Sequence, residues 1–345
     1  MRASGAAGLG LATLSAATFG TSGSFASSLM DAGWTPGAAV TTRIGLAAVI
    51  LTVPALVQLR GRWQLLRRSA GAVLAYGLVA VAGCQLFFFD AVEHLSVSVA
   101  LLMEYSGTVL VVGWLWARHG QRPGRLTVLG AVAAVGGLVL VLDLTGDQRA
   151  DLTGVLWGLG AACGLAFYFV LSARTDDLLP PIVMAWAGMV VGAVTLAVFG
   201  AVGVLDFAAP TGRVDFAGHR TSWLVPVLGL SLVAAVIAYT TGIAAARRLG
   251  ATVASFVGLT EVLFAALWAW LLLDQAVTVT QGIGGAIVLV GIALVRAGGR
   301  VDSVDQQREL VAAAAPVGTG PEAAGPGAGP EPTGPAAGGP RMARP

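Results

Sequence analysis

The sequence predicts an all-α polytopic membrane protein with ten transmembrane helices, arranged as two inverted-topology five-helix repeats. Three observations carry that expectation. Of 345 residues, 56% are hydrophobic and only 11% charged, with a mean hydropathy of +0.82, whereas soluble domains carry about 25% charged residues. Apolar windows of about 20 residues, the length that crosses ~30 Å of hydrocarbon, recur along the chain. One of these stretches also aligns with a later one without a gap.

The windows place helices near residues 8–29, 37–58, 70–89, 97–117, 126–143, 154–173, 182–203, 223–245, 252–272 and 278–296. The first is rich in Ser, Thr and Gly ("ATFGTSGSFASS") and is too dilute for a signal-peptide core, so it is expected to remain as a close-packing helix. Glycines and small residues of the fifth and tenth helices are expected to make similar close contacts. After residue 300 the chain turns to "PVGTGPEAAGPGAGPEPTGPAAGGPRMARP", and 301–345 are expected to form a disordered Pro/Gly/Ala-rich cytoplasmic tail.

Loop charges orient the series. "RGRWQLLRR" after the second helix and "ARHGQRPGR" after the fourth are arginine-rich, whereas "DAVEHLS" after the third and "DLTGDQRAD" after the fifth are mainly acidic. The alternation continues through "ARRLG", "LLDQAV" and Arg296 with Arg300. Even-numbered loops and both termini are therefore expected in the cytoplasm of a cell whose inner membrane holds the protein. The sixth loop, with Arg174 beside two acids, and the seventh, with Arg213 and Arg220, fit the alternation least well.

The repeat lies in these helices. "AVEHLSVSVALLMEYSGTVLVVGWLW" from Ala91 aligns with "AARRLGATVASFVGLTEVLFAALWAW" from Ala245, so that Leu95 meets Leu249, Trp114 meets Trp268 and Trp116 meets Trp270. The register continues, matching Gly130 and Gly137 to Gly284 and Gly291. Five helices per copy make the second copy enter from the opposite side, with repeats expected over 8–143 and 154–297 and a substrate site between them.

The paired segments "VALLMEYSGTVLVVGWLWARHGQRP" and "VASFVGLTEVLFAALWAWLLLDQAVT", each followed by a glycine-punctuated helix, resemble the two EamA repeats of the drug/metabolite transporter superfamily. "ALLMEYSG" is also similar to the corresponding helix of the threonine and homoserine exporter branch. The resemblance implies ten helices, cytoplasmic ends and export of amino acids, metabolites or drugs. The chain departs from the family pattern at Glu261-Val262, where Glu-Pro is usual, and at Gly120, where an acid is usual.

Charges inside apolar helices mark the candidate site, because an acid or Arg at a helix centre costs about 2.5–3.5 kcal/mol and so faces a bundle interior or a cavity. Glu104 lies roughly 10 Å deep in the fourth helix, and Arg43 lies at similar depth on the second. Glu261 aligns with Gly107, three positions from Glu104, so the two glutamates share a helix face on equivalent helices, offset by about 4.5 Å. The functional reading makes one or both of Glu104 and Glu261 a proton-coupling site or a ligand for a cationic group, and lets Arg43 hold a carboxylate or pair with Glu104. The bland reading is a structural ion pair or a protonated interhelical hydrogen bond. Tyr76, Gln85, Tyr105, Trp186 and Tyr239, with the "QLFFFD" and "FYF" groups, are candidate cavity-lining residues, although helical aromatics more often pack or sit in the interfacial belt. Cys84 and Cys163 read as small core residues.

No enzyme is indicated. "GTSG" at Gly20–Gly23 matches a rhomboid serine motif, but His94, His119 and His219 all fall in or beside loops, and no Walker A motif occurs. The expectation is a secondary active transporter, with proton-coupled efflux of a small metabolite by alternating access. A membrane receptor or scaffold is the alternative. Its partners are a small-molecule substrate, protons and the lipid bilayer. No cofactor or metal is expected, and a net charge of +2 gives no reason to expect nucleic acid. The oligomeric state is open, a homodimer included.

Overall fold

A computed structural model describes residues 2–95, 97–120, 123–142, 151–174, 179–273, 276 and 278–314. The chain divides into two units, residues 1–303 and 304–345. The acidic fifth loop, Asp176, Asp177, Asp274 and residues 315–345, on which several sequence expectations lean, lie outside the described residues.

Small polar residues set the first departure from expectation. The single helix expected over 8–29 is two, α1 (Arg2–Gly20) and α2 (Ser22–Asp31). They part at Thr21, whose hydroxyl donates to Thr18 O at 2.6 Å and competes with the backbone ladder. α3 (Pro36–Leu59) starts where Thr35 caps Ala38 N and Pro36 occupies the first turn, a position that needs no backbone N–H. A short helix that the sequence reading did not anticipate, α4 (Trp63–Arg68), fills the second loop.

The third span, Ala70–Val92, is α5 (Ala70–Ala75), a π-helical segment Tyr76–Gly83, and α6 (Cys84–His94). The fourth is α7 (Val97–Tyr105) and α8 (Gly107–His119), interrupted at Ser106. Then follow α9 (Arg125–Val141), α10 (Leu152–Ser172) and α11 (Pro181–Ala201). The eighth span is α12 (Leu224–Ser231), a second π-helical segment Leu232–Ile237, and α13 (Ala238–Leu249). The ninth is α14 (Ala251–Gly258) and α15 (Thr260–Leu273), interrupted at Leu259, and α16 (Val279–Ala314) closes the described series.

These irregularities obey the repeat. Shifting Gly83 by the 154 residues that pair Leu95 with Leu249 lands on Ile237, so the two π segments end at equivalent positions. The same shift carries Ser106 onto Thr260, beside the break in the second copy. A π turn leaves one carbonyl misaligned, and inside a bilayer that is tolerated only where neighbouring protein satisfies it.

Among the described residues, eight stretches are long and apolar enough to cross a membrane, where ten were expected. The α1–α2 stretch is broken and diluted by hydroxyls, and α9 is an apolar helix of only 17 residues. Outward positions such as Val49, Val53 and Val132 are exposed and apolar, while the helix contacts are made by small residues such as Ala38, Ala47 and Ala55. That distribution suits packing in lipid, where helices gain from close approach rather than from hydrophobic burial.

α9 and α16 run antiparallel and approach closely at their glycines. A Cβ on Gly137 would stand 2.7 Å from Gly284 O, and one on Gly284 would stand 2.7 Å from Gly137 O. Gly130 makes the equivalent contact with Gly291 O, at 2.6 Å. Under the repeat Gly130 corresponds to Gly284 and Gly137 to Gly291, so each contact is the image of the other.

The seventh loop holds a β-hairpin that the sequence reading did not anticipate, β1 (Arg213–Phe216) against β2 (His219–Ser222), with Val214 opposite Thr221. Ala217 and Gly218 turn at φ 51° and 75°, the left-handed pair that a two-residue hairpin requires. Phe216 stacks on Phe25 of α2 at 5.1 Å, and Trp34 Nε1 donates to Pro210 O at 2.9 Å.

The backbone of residues 304–314 is helical, where a disordered tail was expected from residue 301. "VDSVDQQRELVAAA" is rich in helix formers, and the first proline after it is Pro316.

Candidate functional site

The described helices enclose a cavity of about 200 Å³, lined from α1, α2, α3, the first π segment, α6, α7, α10, α13, α14 and α15. Each charged group reaches it for a local reason. α10 presents Gly158 to Met103 and Gly164 to Cys84, where added Cβ atoms would lie 2.7 and 2.8 Å from those side chains. This close approach holds α6 and α7 against α10 and aims Cys84 and Glu104 inward. Glu104 sits two residues before the interruption at Ser106, and Glu261 two residues after the one at Leu259.

Cys84 Sγ donates to Glu104 Oε1 at 3.3 Å and also lies 3.5 Å from Ala161 O. The Tyr105 phenol stands against the Glu261 carboxyl. Arg43 is 7% exposed, and its Nε is buried with no hydrogen-bond partner. It forms no ion pair within 4.0 Å among the described residues, so the direct Arg43–Glu104 pair that the sequence allowed is absent from this conformation.

Of the candidate residues, Arg43, Gln85, Glu104, Tyr105, Tyr239 and Glu261 all line the cavity. Tyr76 and Trp186 do not. Tyr76 is fully buried and packs on Tyr168, with ring centroids 5.9 Å apart. Trp186 Nε1 donates to Thr52 Oγ1 at 3.0 Å, which fixes the indole between α11 and α3. Phe88, Tyr168 and Phe169, from the two aromatic groups, do line the cavity. Tyr239 bridges them to the first helix, edge-on to Tyr168 at 5.8 Å and tilted on Phe19 at 4.9 Å.

The sequence reading missed Cys84, assigned to the core, and Ser15, whose hydroxyl donates to Ala238 O at 2.8 Å at the cavity wall. Repeat symmetry marks other positions of the lining. Gln85 and Tyr239, Phe88 and Gly242, and Glu104 and Gly258 are equivalent pairs, and all six line the cavity. Among the described residues, no group of three or more His, Cys, Asp or Glu side chains could hold a metal ion.

Fold and cavity together define a multi-pass helical membrane protein that turns its few intramembrane charges towards an internal space. The chain belongs to the EamA-like transporter family, which it matches over residues 6–143 and again over 152–297. It is 25% identical over 229 residues to the uncharacterized transporter YwfM of Bacillus subtilis, covering 64% of this chain and 72% of that one. An uncharacterized transporter of Archaeoglobus fulgidus is 26% identical over 206 residues, 59% of this chain and 69% of the other. The pseudopaline exporter CntI of Pseudomonas aeruginosa is 35% identical over 68 residues, 20% of this chain and 24% of that one. A solved structure titled "Crystal structure of protein" shares the fold, with a TM-score of 0.69 and 18% identity over 86% of this chain and 99% of its own.

Proposed function

We propose that the protein is a secondary active transporter of the cell inner membrane that exports a small metabolite, an amino acid or a drug-like solute of similar size, in exchange for protons. Its ten membrane helices form two inverted repeats with both termini in the cytoplasm, and rocking of one repeat against the other exposes the cavity alternately to each side. Glu104, Glu261 and Arg43 carry substrate binding and coupling, with Gln85, Tyr105 and Tyr239 shaping the cavity. The observation that carries this reading is the gathering of Glu104, Glu261 and Arg43 around one space lined by equivalent positions of both repeats. The antiparallel glycine contacts between α9 and α16 support the inverted arrangement. The volume of about 200 Å³ lies below the ~300–1,000 Å³ of drug-sized sites and favours a small solute. The short similarity to a named exporter supports the outward direction.

A resistance screen finds the solute: cells overproducing the protein are challenged with toxic amino acids, analogues and drugs. Counterflow of the protecting compound in proteoliposomes, with and without a proton gradient, then tests transport. A protein that moves no solute under either condition is a receptor or scaffold instead.

A further inference from the structure

We infer that Arg43 is an oxyanion-binding subsite, and that the exported solute carries a carboxylate or a phosphate that docks there. The inference deepens the transport reading and rests on it for the word "exported"; the subsite itself rests on the geometry.

Arg43 projects from α3 into the cavity at 7% exposure. A guanidinium keeps its charge at any physiological pH, and a buried N–H without an acceptor is costly, so a site that holds one normally provides the acceptor. Among the described residues Nε is given none, and no carboxylate lies within 4.0 Å of the guanidinium. The two carboxyls sharing the cavity have their own neighbours: Glu104 accepts from the Cys84 thiol, and the Tyr105 phenol stands against Glu261. Among the described residues, then, the cavity contains a guanidinium that no carboxylate contacts directly, although Glu104 and Glu261 share the space.

The planar fork of Arg fits two oxygens of a carboxylate or phosphate side by side, which a lysine cannot do with the same geometry. The aromatic walls at Phe88 and Tyr239 would take the apolar body of such a solute.

The test uses the purified full-length chain. Its thermal midpoint is measured in sodium acetate, sodium phosphate and sodium chloride at matched ionic strength, for the wild type, Arg43→Gln and Arg43→Lys. Acetate or phosphate is expected to raise the wild-type midpoint above that in chloride, and the larger effect tells carboxylate from phosphate. Arg43→Gln should lose that difference. Arg43→Lys keeps the charge and guards against a folding defect in the glutamine variant, and it should need roughly tenfold more anion for the same shift, the worth of one charge-assisted contact. No anion effect in the wild type, or an equal effect in wild type and Arg43→Gln, overturns the subsite.

Proteoliposome counterflow separates the two claims. An Arg43-dependent anion effect in a protein that transports nothing keeps the subsite and removes the transport reading. Transport confined to uncharged or purely cationic solutes keeps transport and removes the subsite.

Discussion

Ser106 and Thr260 make one bond twice. Ser106 Oγ donates to Met103 O at 2.6 Å, and Thr260 Oγ1 donates to Val257 O at 2.7 Å, each reaching back three residues at an interruption beside a cavity glutamate. Met103 and Val257 are themselves repeat partners. The hydroxyl takes up a carbonyl in the last turn before each break, which lets a helix bend where lipid offers no replacement donor. Ser106→Ala and Thr260→Ala should therefore cost similar amounts, about 0.5–1.5 kcal/mol each. Thermal unfolding of the purified variants measures both, and a loss confined to one of them would mean that the two breaks are not equivalent.

Glu104→Gln should leave protein abundance unchanged, because the amide oxygen can accept the Cys84 thiol as the carboxylate does. Proton-driven transport should nevertheless fall at least ~10-fold, since the amide cannot bind and release a proton, while gradient-free exchange survives better. Had Glu104 been the ion-pair partner of Arg43, its removal would cost about 3–5 kcal/mol and deplete the protein. Abundance by immunoblot, beside driven transport and exchange, separates these outcomes. Normal driven transport would leave Glu261 as the coupling acid.

Gly137→Val and Gly284→Val should each be destabilising by more than ~1 kcal/mol, because the new side chain meets backbone rather than a movable side chain. Gly113→Ala has nothing within 4 Å of its added methyl and should change stability by less than ~0.5 kcal/mol. The midpoint of aggregation on heating in detergent ranks the three. A tolerated Gly284→Val would show that α9 and α16 do not meet as described.

A topology reporter fused after Arg300 should be active only in the cytoplasm, and one inserted at Gly212, beside the hairpin, only outside. An external signal at residue 300 would overturn the loop-charge orientation.

What the sequence disclosed followed the strength of each physical penalty. A charge among apolar residues is so costly that Glu104, Glu261 and Arg43 could be picked out one by one, and all three line the cavity. Trp114 and Trp268 set the register of the repeat, and the π segments later obeyed it. Aromatic residues carry no such penalty on either face of a helix, so Tyr76 and Trp186 were grouped with Tyr239 although they pack elsewhere. Cys84 is small and apolar enough to suit a core, and only the position of its sulfur against Glu104 gives it a role. The break at Thr21 and the hairpin turn at Ala217 depend on local hydrogen bonding and backbone conformation, which hydropathy does not sense.

The α9–α16 seam has a consequence for motion. Contacts between glycine backbones freeze no side-chain rotamers, so the Gly130–Gly291 and Gly137–Gly284 contacts themselves cost no side-chain freedom, and backbone meets backbone there with little room to shift. Such a joint behaves as a fulcrum: it can turn but has almost no play along its length. Spin labels placed on the outer faces of the two helices, at Val132 and Leu289, should keep one narrow distance distribution while labels across the cavity broaden or split.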